Sequence, residues 1–155
     1  MTENDSSLAK KSIETKQFST FMVAGSLYGL EVSTVQEVTK SLPMTKVPLA
    51  PSFVCGLINL RGQIATAIGL RNLFHIEAQE NPLESMNVIC KSDGLLLSLL
   101  VDQIGDVLEV ESTLFEPTPN TLPVEVSKFM SGVYKTPGVL LSILDIRKII
   151  EELQK

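Results

Sequence analysis

The chain has 155 residues, of which 44% are apolar and 20% are charged, and its formal net charge at pH 7 is −5. This composition is typical of one globular domain, or of two very small ones that share a core. An acidic chain is a poor partner for nucleic-acid phosphates, and its apolar runs fall far short of the roughly 20 residues that span a bilayer, so nucleic-acid binding and membrane insertion are both disfavoured.

The first 16 residues are predicted to form a disordered polar tail, because they show no apolar periodicity. They also lack the apolar segment of a secretory signal, which favours a cytoplasmic location. Cys55 and Cys90 lie in apolar surroundings without CxxC spacing. Both are therefore expected to be free, buried thiols in a reducing compartment.

From residue 17 onward, short apolar stretches alternate with Gly and Pro, which is typical of short antiparallel strands. The pattern predicts hairpins with turns at residues 24–26, 92–94 and 136–138. One or two helical turns are predicted at residues 69–74 and 125–130.

The last segment carries the clearest helix signal in the chain. Asp145 can cap a helix, and Ile146, Ile149, Ile150 and Leu153 follow i, i+3, i+4, i+7 spacing. The sequence therefore predicts a C-terminal amphipathic helix that packs its apolar face on a β-barrel.

An internal repeat organises the strands. A shift of 69 residues aligns residues 25–38 with 94–107, and a shift of 76 aligns 56–71 with 132–147. Each copy then consists of a hairpin, a short crossover and a second hairpin that ends in a helical turn. Chance similarity between two β-rich stretches is the alternative explanation.

Short antiparallel strands need closure to remove their edges, and about 60 residues bury too little surface to be stable alone. The repeat therefore predicts a mainly β domain over residues 17–155. Its two small barrels, one from residues 17–74 and one from 86–150, are packed together. The sequence leaves open whether strands are exchanged between the barrels.

No catalytic or metal-binding constellation stands out. His75 is the only histidine, and no metal-ligand spacing surrounds it. A nucleophile pair of Cys55 and His75 is conceivable, but a boundary histidine is the simpler interpretation. Asp102 and Asp106 are interpreted as turn-forming, solvated residues. The protein is therefore predicted not to be an enzyme and to need no metal or cofactor.

Arg61 is unusual because it lies in an apolar strand-and-turn context. The matching position in the second copy is Pro137, so the barrel does not require an arginine there. Glu37, whose counterpart is Asp106, is a plausible carboxylate partner. A fixed fork at the lip of a barrel and an ordinary surface ion pair both remain open.

A family resemblance rests on Val35-Gln36-Glu37-Val38, Val47-Pro48, Gly56-Leu57-Ile58-Asn59-Leu60-Arg61-Gly62, Leu70-Arg71 and Val101-Asp102. In this order and spacing the chain resembles the CheW family of chemotaxis coupling proteins from about Gln17 to Leu153. The resemblance implies two five-stranded, SH3-like barrels. The chain departs from the family at Gly69, where an Asp is common. This departure puts the helical cap of the first barrel in doubt.

The resemblance also implies a function and two binding surfaces. The function is a non-enzymatic adaptor that joins chemoreceptor cytoplasmic hairpin tips to the regulatory domain of the chemotaxis histidine kinase, in arrays at the inner membrane. The implied receptor-binding residues are Val35, Glu37, Arg61 and Met86, and the implied kinase-binding residues are Val38, Gly56, Ile64 and Val107.

Two other functions compete with this interpretation. A coupling protein of a pilus-motility or other non-flagellar chemosensory pathway would share the same sequence features. A small-molecule-binding or hydrolytic β-barrel would belong to another class, and it would need a polar pocket with perturbed groups.

Overall fold

The computed structural model describes residues 13–77 and 85–155. The strands are β1 (Thr15–Val23), β2 (Ser26–Glu31), β3 (Val35–Lys40), β4 (Val54–Leu60), β5 (Gln63–Gly69), β6 (Met86–Ser92), β7 (Leu95–Val101), β8 (Gln103–Glu111), β9 (Phe115–Glu116), β10 (Met130–Thr136) and β11 (Val139–Leu144). The helices are α1 (Leu70–Leu73), α2 (Val124–Ser127) and α3 (Ile146–Leu153), and single 3₁₀ turns lie at Val32–Thr34 and Ser112–Leu114. The mainly β fold predicted from the sequence is confirmed.

One sheet, which we call the central barrel, has five strands in the order β3-β6-β7-β5-β4 and is built from residues 35–101. The chain beyond β3 returns to close it, because Thr45 and Leu57 exchange two backbone hydrogen bonds of 2.9 and 2.8 Å. This closure satisfies the edge of β4.

The other sheet, the terminal barrel, has the order β8-β1-β2-β11-β10-β9 and is built from residues 15–31 and 103–144. It has six strands rather than the expected five, because the two-residue β9 pairs with β10. Its first strand begins at Thr15, two residues before the predicted boundary, because Thr15 still pairs with Glu111 of β8. Residues 1–12 of the predicted tail lie outside the described residues.

The internal repeat is reproduced residue for residue in the strand pairing. The pair Phe18 and Glu31 recurs 69 positions later as Asn87 and Leu100. The bulge that precedes Gly56 in β4 recurs 76 positions later, before its counterpart in β10. The two halves therefore share one pairing topology.

The hairpins, however, are exchanged between the two copies. The β1–β2 hairpin pairs with β8 and β11, and the β6–β7 hairpin pairs with β3 and β5. The predicted division into one barrel of residues 17–74 and another of 86–150 therefore does not match the sheets. The physical reason is the connection after β2. Pairing β3 with β1 would place β3 parallel to β2, and such a crossover needs a dozen or more residues, whereas only three are available.

The largest apolar cluster, which we call the shared core, takes residues from both barrels. It joins Phe21 of β1 and Leu144 of β11 to Val88 and Cys90 of β6, all of them buried. Smaller clusters fill the central barrel and the terminal barrel separately. Each barrel is thus too small to hold a full core, and the two are stabilised by packing on each other.

The helices that follow the two repeat copies, α1 and α3, differ in how they begin. Asp145 caps α3 and accepts a hydrogen bond of 3.0 Å from the backbone N–H of Arg147, which confirms the predicted C-terminal helix. Gly69 precedes α1 and offers no side-chain cap. A Cβ at Gly69 would lie 2.8 Å from Sγ of Cys55, so the departure from the family at this position has a steric reason.

Candidate functional site

Two of the predicted site residues on β3 face the neighbouring barrel. Val35 pairs with Cys90 of β6, and Val38 pairs with Val88. Directly paired residues on antiparallel strands project from the same face of a sheet. Since Cys90 and Val88 belong to the shared core, the side chains of Val35 and Val38 lie on the face turned toward the terminal barrel. Val35 packs against that core, whereas Val38 is 40% exposed.

A β-bulge explains why these two valines share a face. Strict alternation would place Val35 and Glu37 on one face and Val38 on the other. The register shifts between Val35 and Glu37, because two residues of β3 there oppose one residue of β6. Met86 pairs with Lys40 at the end of the same ladder and also packs against the shared core. Val35, Val38 and Met86 therefore form one strip.

The terminal barrel presents a matching strip. Ile104 of β8 pairs with Phe21, and Val107 pairs with Ser19. Phe21 belongs to the shared core and Ile104 packs against it, whereas Val107 is 56% exposed. Val35, Val38 and Met86 on one barrel and Ile104 and Val107 on the other thus lie on the faces that the two barrels turn toward the shared core. We call these two strips the walls of the inter-barrel groove, and three of their side chains, Val35, Met86 and Ile104, pack against that core.

The ion pair predicted from the sequence is present at one end of the central barrel. Arg61 Nη2 donates to Glu37 Oε2 at 2.7 Å, and the side chains are 75% and 26% exposed, respectively. Asn59 holds the β4–β5 turn by accepting a hydrogen bond of 3.0 Å from the N–H of Gly62. Arg61 makes this contact through one nitrogen. The contact is therefore a single charged hydrogen bond between the β4–β5 turn and β3, and not a two-pronged fork.

The four predicted kinase-binding residues do not form one surface. Val38 and Val107 line the inter-barrel groove, on different barrels. Gly56 is buried, and a Cβ there would lie 2.8 Å from the carbonyl oxygen of Thr45, so this glycine permits barrel closure. Ile64 is 56% exposed on the outside of the β4–β5 hairpin.

Sequence reasoning missed one apolar neighbour of Ile64. The parallel pairing of Thr66 with Leu97 places Leu95 of β7 beside Ile64, two residues earlier on both strands. Leu95 is 38% exposed. We call Ile64 and Leu95 the hairpin patch. The Leu-rich β7 gave a strand signal but no sign of which leucine reaches the surface.

Asp102 has a different environment from the one predicted for it. It connects β7 to β8, and its carboxylate accepts hydrogen bonds from Arg71 Nε at 2.9 Å, Arg71 Nη2 at 2.7 Å and the N–H of Ala24 at 2.8 Å. The interpretation of Asp102 as a solvated turn residue is therefore wrong. The hydrogen-bonded Arg71 guanidinium holds the pKa of Asp102 below its usual value of 3.8, against the opposing effect of burial.

This contact predicts a specific acid sensitivity. A carboxyl group whose pKa is lowered by folding contributes stability above its unfolded pKa, and the contribution is lost as the pH falls through its folded pKa. The wild-type protein should therefore be more stable than Asp102→Asn at pH 7, and the difference should shrink as the pH falls below about 4. Denaturant unfolding of both proteins between pH 7 and pH 2.5 measures this. A difference that stays constant over that range would contradict it.

The thiol considered as a hydrolytic nucleophile, Cys55, is not activated. Burial raises the pKa of the Cys55 thiol, which is the opposite of activation, and its sulfur lies 4.0 Å from the carbonyl oxygen of Phe53. His75 is exposed just beyond α1, at the edge of a cavity of about 650 Å³ that Tyr28 and Phe74 also line. Burial raises the pKa of Tyr28 as well, so that hydroxyl is not activated either.

Metal binding and membrane crossing find no support in the described part of the chain. Residues 13–77 and 85–155 contain no group of three or more His, Cys, Asp or Glu side chains that could hold a metal ion. Over the same ranges no helix has both the length and the apolar character needed to cross a membrane. Both cysteines are free, with Cys55 half-buried and Cys90 buried.

Comparison with known proteins gives a consistent answer. The model of the CheW-like domain matches residues 17–154. A chemotaxis protein CheW from Treponema pallidum (strain Nichols) is 31% identical over 150 residues, which cover 92% of this chain and 87% of that protein. A chemotaxis protein CheW from Bacillus subtilis (strain 168) is 27% identical over 132 residues, with 85% of each chain covered.

A solved structure agrees with the fold as well as with the sequence. The crystal structure of the scaffolding protein TtCheW from Thermoanaerobacter tengcongensis superimposes with a TM-score of 0.78 and 32% sequence identity. The match covers 85% of this chain and 90% of that one.

Proposed function

The chain belongs to the CheW-like domain family, a family of chemotaxis scaffolds, and from that premise we propose that it couples chemoreceptors to the chemotaxis histidine kinase. It does so by protein–protein binding alone, in the cytoplasm at receptor arrays on the inner membrane. The observation that carries this proposal is the inter-barrel groove, which presents apolar side chains on both walls.

The groove fits the helical hairpin tip of a receptor. An amphipathic helix binds a groove through apolar residues spaced along one of its faces, and the anchors that become desolvated in the complex contribute most of the affinity. Val35 and Met86 supply such anchors on one wall and Ile104 supplies one on the other. Val38 and Val107, which the family resemblance assigns to the kinase, lie on the same walls. We assign both to receptor binding on the basis of this position.

The kinase regulatory domain then binds the outside of the central barrel. The hairpin patch of Ile64 and Leu95 is apolar, exposed and separate from the groove walls. Exposed apolar patches of this kind mark protein–protein contacts. The Arg61–Glu37 pair lies at the same end of the barrel, near the β4–β5 turn, and we propose that it couples receptor binding to kinase control.

Co-sedimentation tests this function directly. The protein should pellet with receptor-containing membranes, and the kinase should pellet efficiently only when the protein is present. Membranes without receptors are the control and should retain neither. A protein that stays in the supernatant with receptor membranes, or a kinase whose sedimentation ignores it, would refute the proposal. Repeating the experiment with receptors of a pilus-motility pathway separates that alternative.

A further inference from the structure

We infer that the contact between Arg71 and Asp102 fixes the angle between the two barrels and thereby the width of the inter-barrel groove. The effect on barrel geometry stands independently, whereas its effect on receptor binding rests on the proposed function. Arg71 and Asp102 are positioning residues in this inference, because neither belongs to a groove wall.

The barrels are joined covalently at two short connections. The chain passes from the terminal to the central barrel through the 3₁₀ turn Val32–Thr34, and it returns through Asp102 between β7 and β8. The shared core packs the two barrels together. The contacts at these two crossings act in addition, at the points where the chain passes from one barrel to the other.

Asp102 ties three elements together at the second crossing. Its carboxylate accepts from Arg71 of α1 in the central barrel and from Ala24 in the β1–β2 turn of the terminal barrel. Its own N–H donates to the carbonyl oxygen of Met22 at 3.0 Å. Arg71 is itself held, because its Nη1 donates to the carbonyl oxygen of Glu77 at 2.7 Å. A planar guanidinium bound at both ends allows little rotation.

The repeat shows that the barrel fold itself does not require this contact. The counterparts of Arg71 and Asp102 in the other copy are Arg147 and Ser33. Ser33 has no carboxylate, and Arg147 is exposed on α3 with no ion pair among the described residues. A residue needed to close either barrel would be needed in both. The contact therefore serves the relation between the barrels.

Asp102 also lies next to one wall of the groove. It immediately precedes β8, which carries Ile104 and Val107. A rotation about this crossing would move those two side chains relative to Val35 and Val38 on the central barrel. Loss of the contact should therefore widen the range of groove widths that the protein samples, with no change inside either barrel.

The test measures the distance between the barrels in the isolated protein. Spin labels on Lys40→Cys of β3 and Glu111→Cys of β8, in a Cys55→Ser background, report it by double electron–electron resonance. Both label sites are exposed, and the remaining Cys90 is fully buried. Arg71→Lys keeps the charge but not the planar fork, and Asp102→Asn keeps the shape but not the charge. Arg147→Lys is the matched control.

We expect broader distance distributions for Arg71→Lys and Asp102→Asn and an unchanged distribution for Arg147→Lys. If the competent orientation falls to between about one fifth and one tenth of the population, affinity for receptor membranes falls about five- to tenfold. Kinase binding to the hairpin patch should not change, whereas a protein that was merely destabilised would lose kinase binding as well. Unchanged distributions in folded variants, checked by melting curves, would overturn the inference. A wild-type protein that binds no receptor would refute the proposed function. The distance distributions would still show whether the Arg71–Asp102 contact fixes the angle between the barrels.

Discussion

Replacing Arg61 with alanine is expected to remove most of the receptor control of the kinase while the protein stays folded. The Arg61 side chain is 75% exposed, and an exposed ion pair contributes no more than about 1 kcal/mol to stability. The cost to signalling should be much larger, because the charged hydrogen bond to Glu37 links the β4–β5 turn to β3, and we propose that this pair couples receptor binding to kinase control.

Receptor-stimulated kinase activity in a reconstituted system measures this effect, with melting curves as the check on folding. Glu37→Ala should act in the same direction, and the double variant should lose less than the sum of the single losses. Lys135→Ala is the matched control, because it removes another exposed ion pair, with Glu116, from the terminal barrel. Full activation by a folded Arg61→Ala protein would refute the role, and a melting point lowered by many degrees would make Arg61 structural.

Val38→Glu and Ile64→Glu should each eliminate the binding of a different partner. An uncompensated charge buried in an apolar contact costs about 3–5 kcal/mol, which weakens binding at least about 100-fold. Val38→Glu should therefore lose binding to receptor membranes and keep binding to the kinase. Ile64→Glu should lose binding to the kinase and keep binding to receptor membranes. Both side chains are 40% or more exposed, so both variants should fold.

Direct binding of each variant to receptor membranes and to the kinase regulatory domain separates the outcomes. Val38→Thr, which nearly keeps the side-chain shape, is the control for the groove and should bind both partners. If Val38→Glu instead loses the kinase alone, the role implied by the family resemblance is right and the assignment from the groove geometry is wrong.

The features that the sequence predicts well are those set by nearby residues. The three hairpins follow from turn residues between apolar stretches, and α3 follows from Asp145 and the spacing of its isoleucines. The repeat was visible because both copies keep the same order of Gly and apolar positions, and the strand register reproduces it. The Arg61–Glu37 pair could be predicted because Pro137 shows that the fold does not need Arg61.

The features that the sequence does not predict depend on contacts between distant segments. Exchange of the hairpins is decided by which sheet the chain enters after a three-residue connection. Asp102 and Arg71 are 31 residues apart, and nothing local to Asp102 distinguishes a partly buried ion pair from a solvated turn residue. The face on which Val38 lies depends on a single bulge in β3, and an alternating pattern of residues does not reveal where the extra residue will be accommodated.

The placement of the central barrel within the chain has a consequence for how the protein is made. All five of its strands are present once the ribosome has passed residue 101 and the exit tunnel has released them, so these strands can pair with one another before the terminal barrel is complete. The β1–β2 hairpin is synthesised first but gains its two neighbours only with β8 and β11. For most of translation it therefore has two unpaired apolar edges, which makes it the segment of the nascent chain most in need of protection from aggregation.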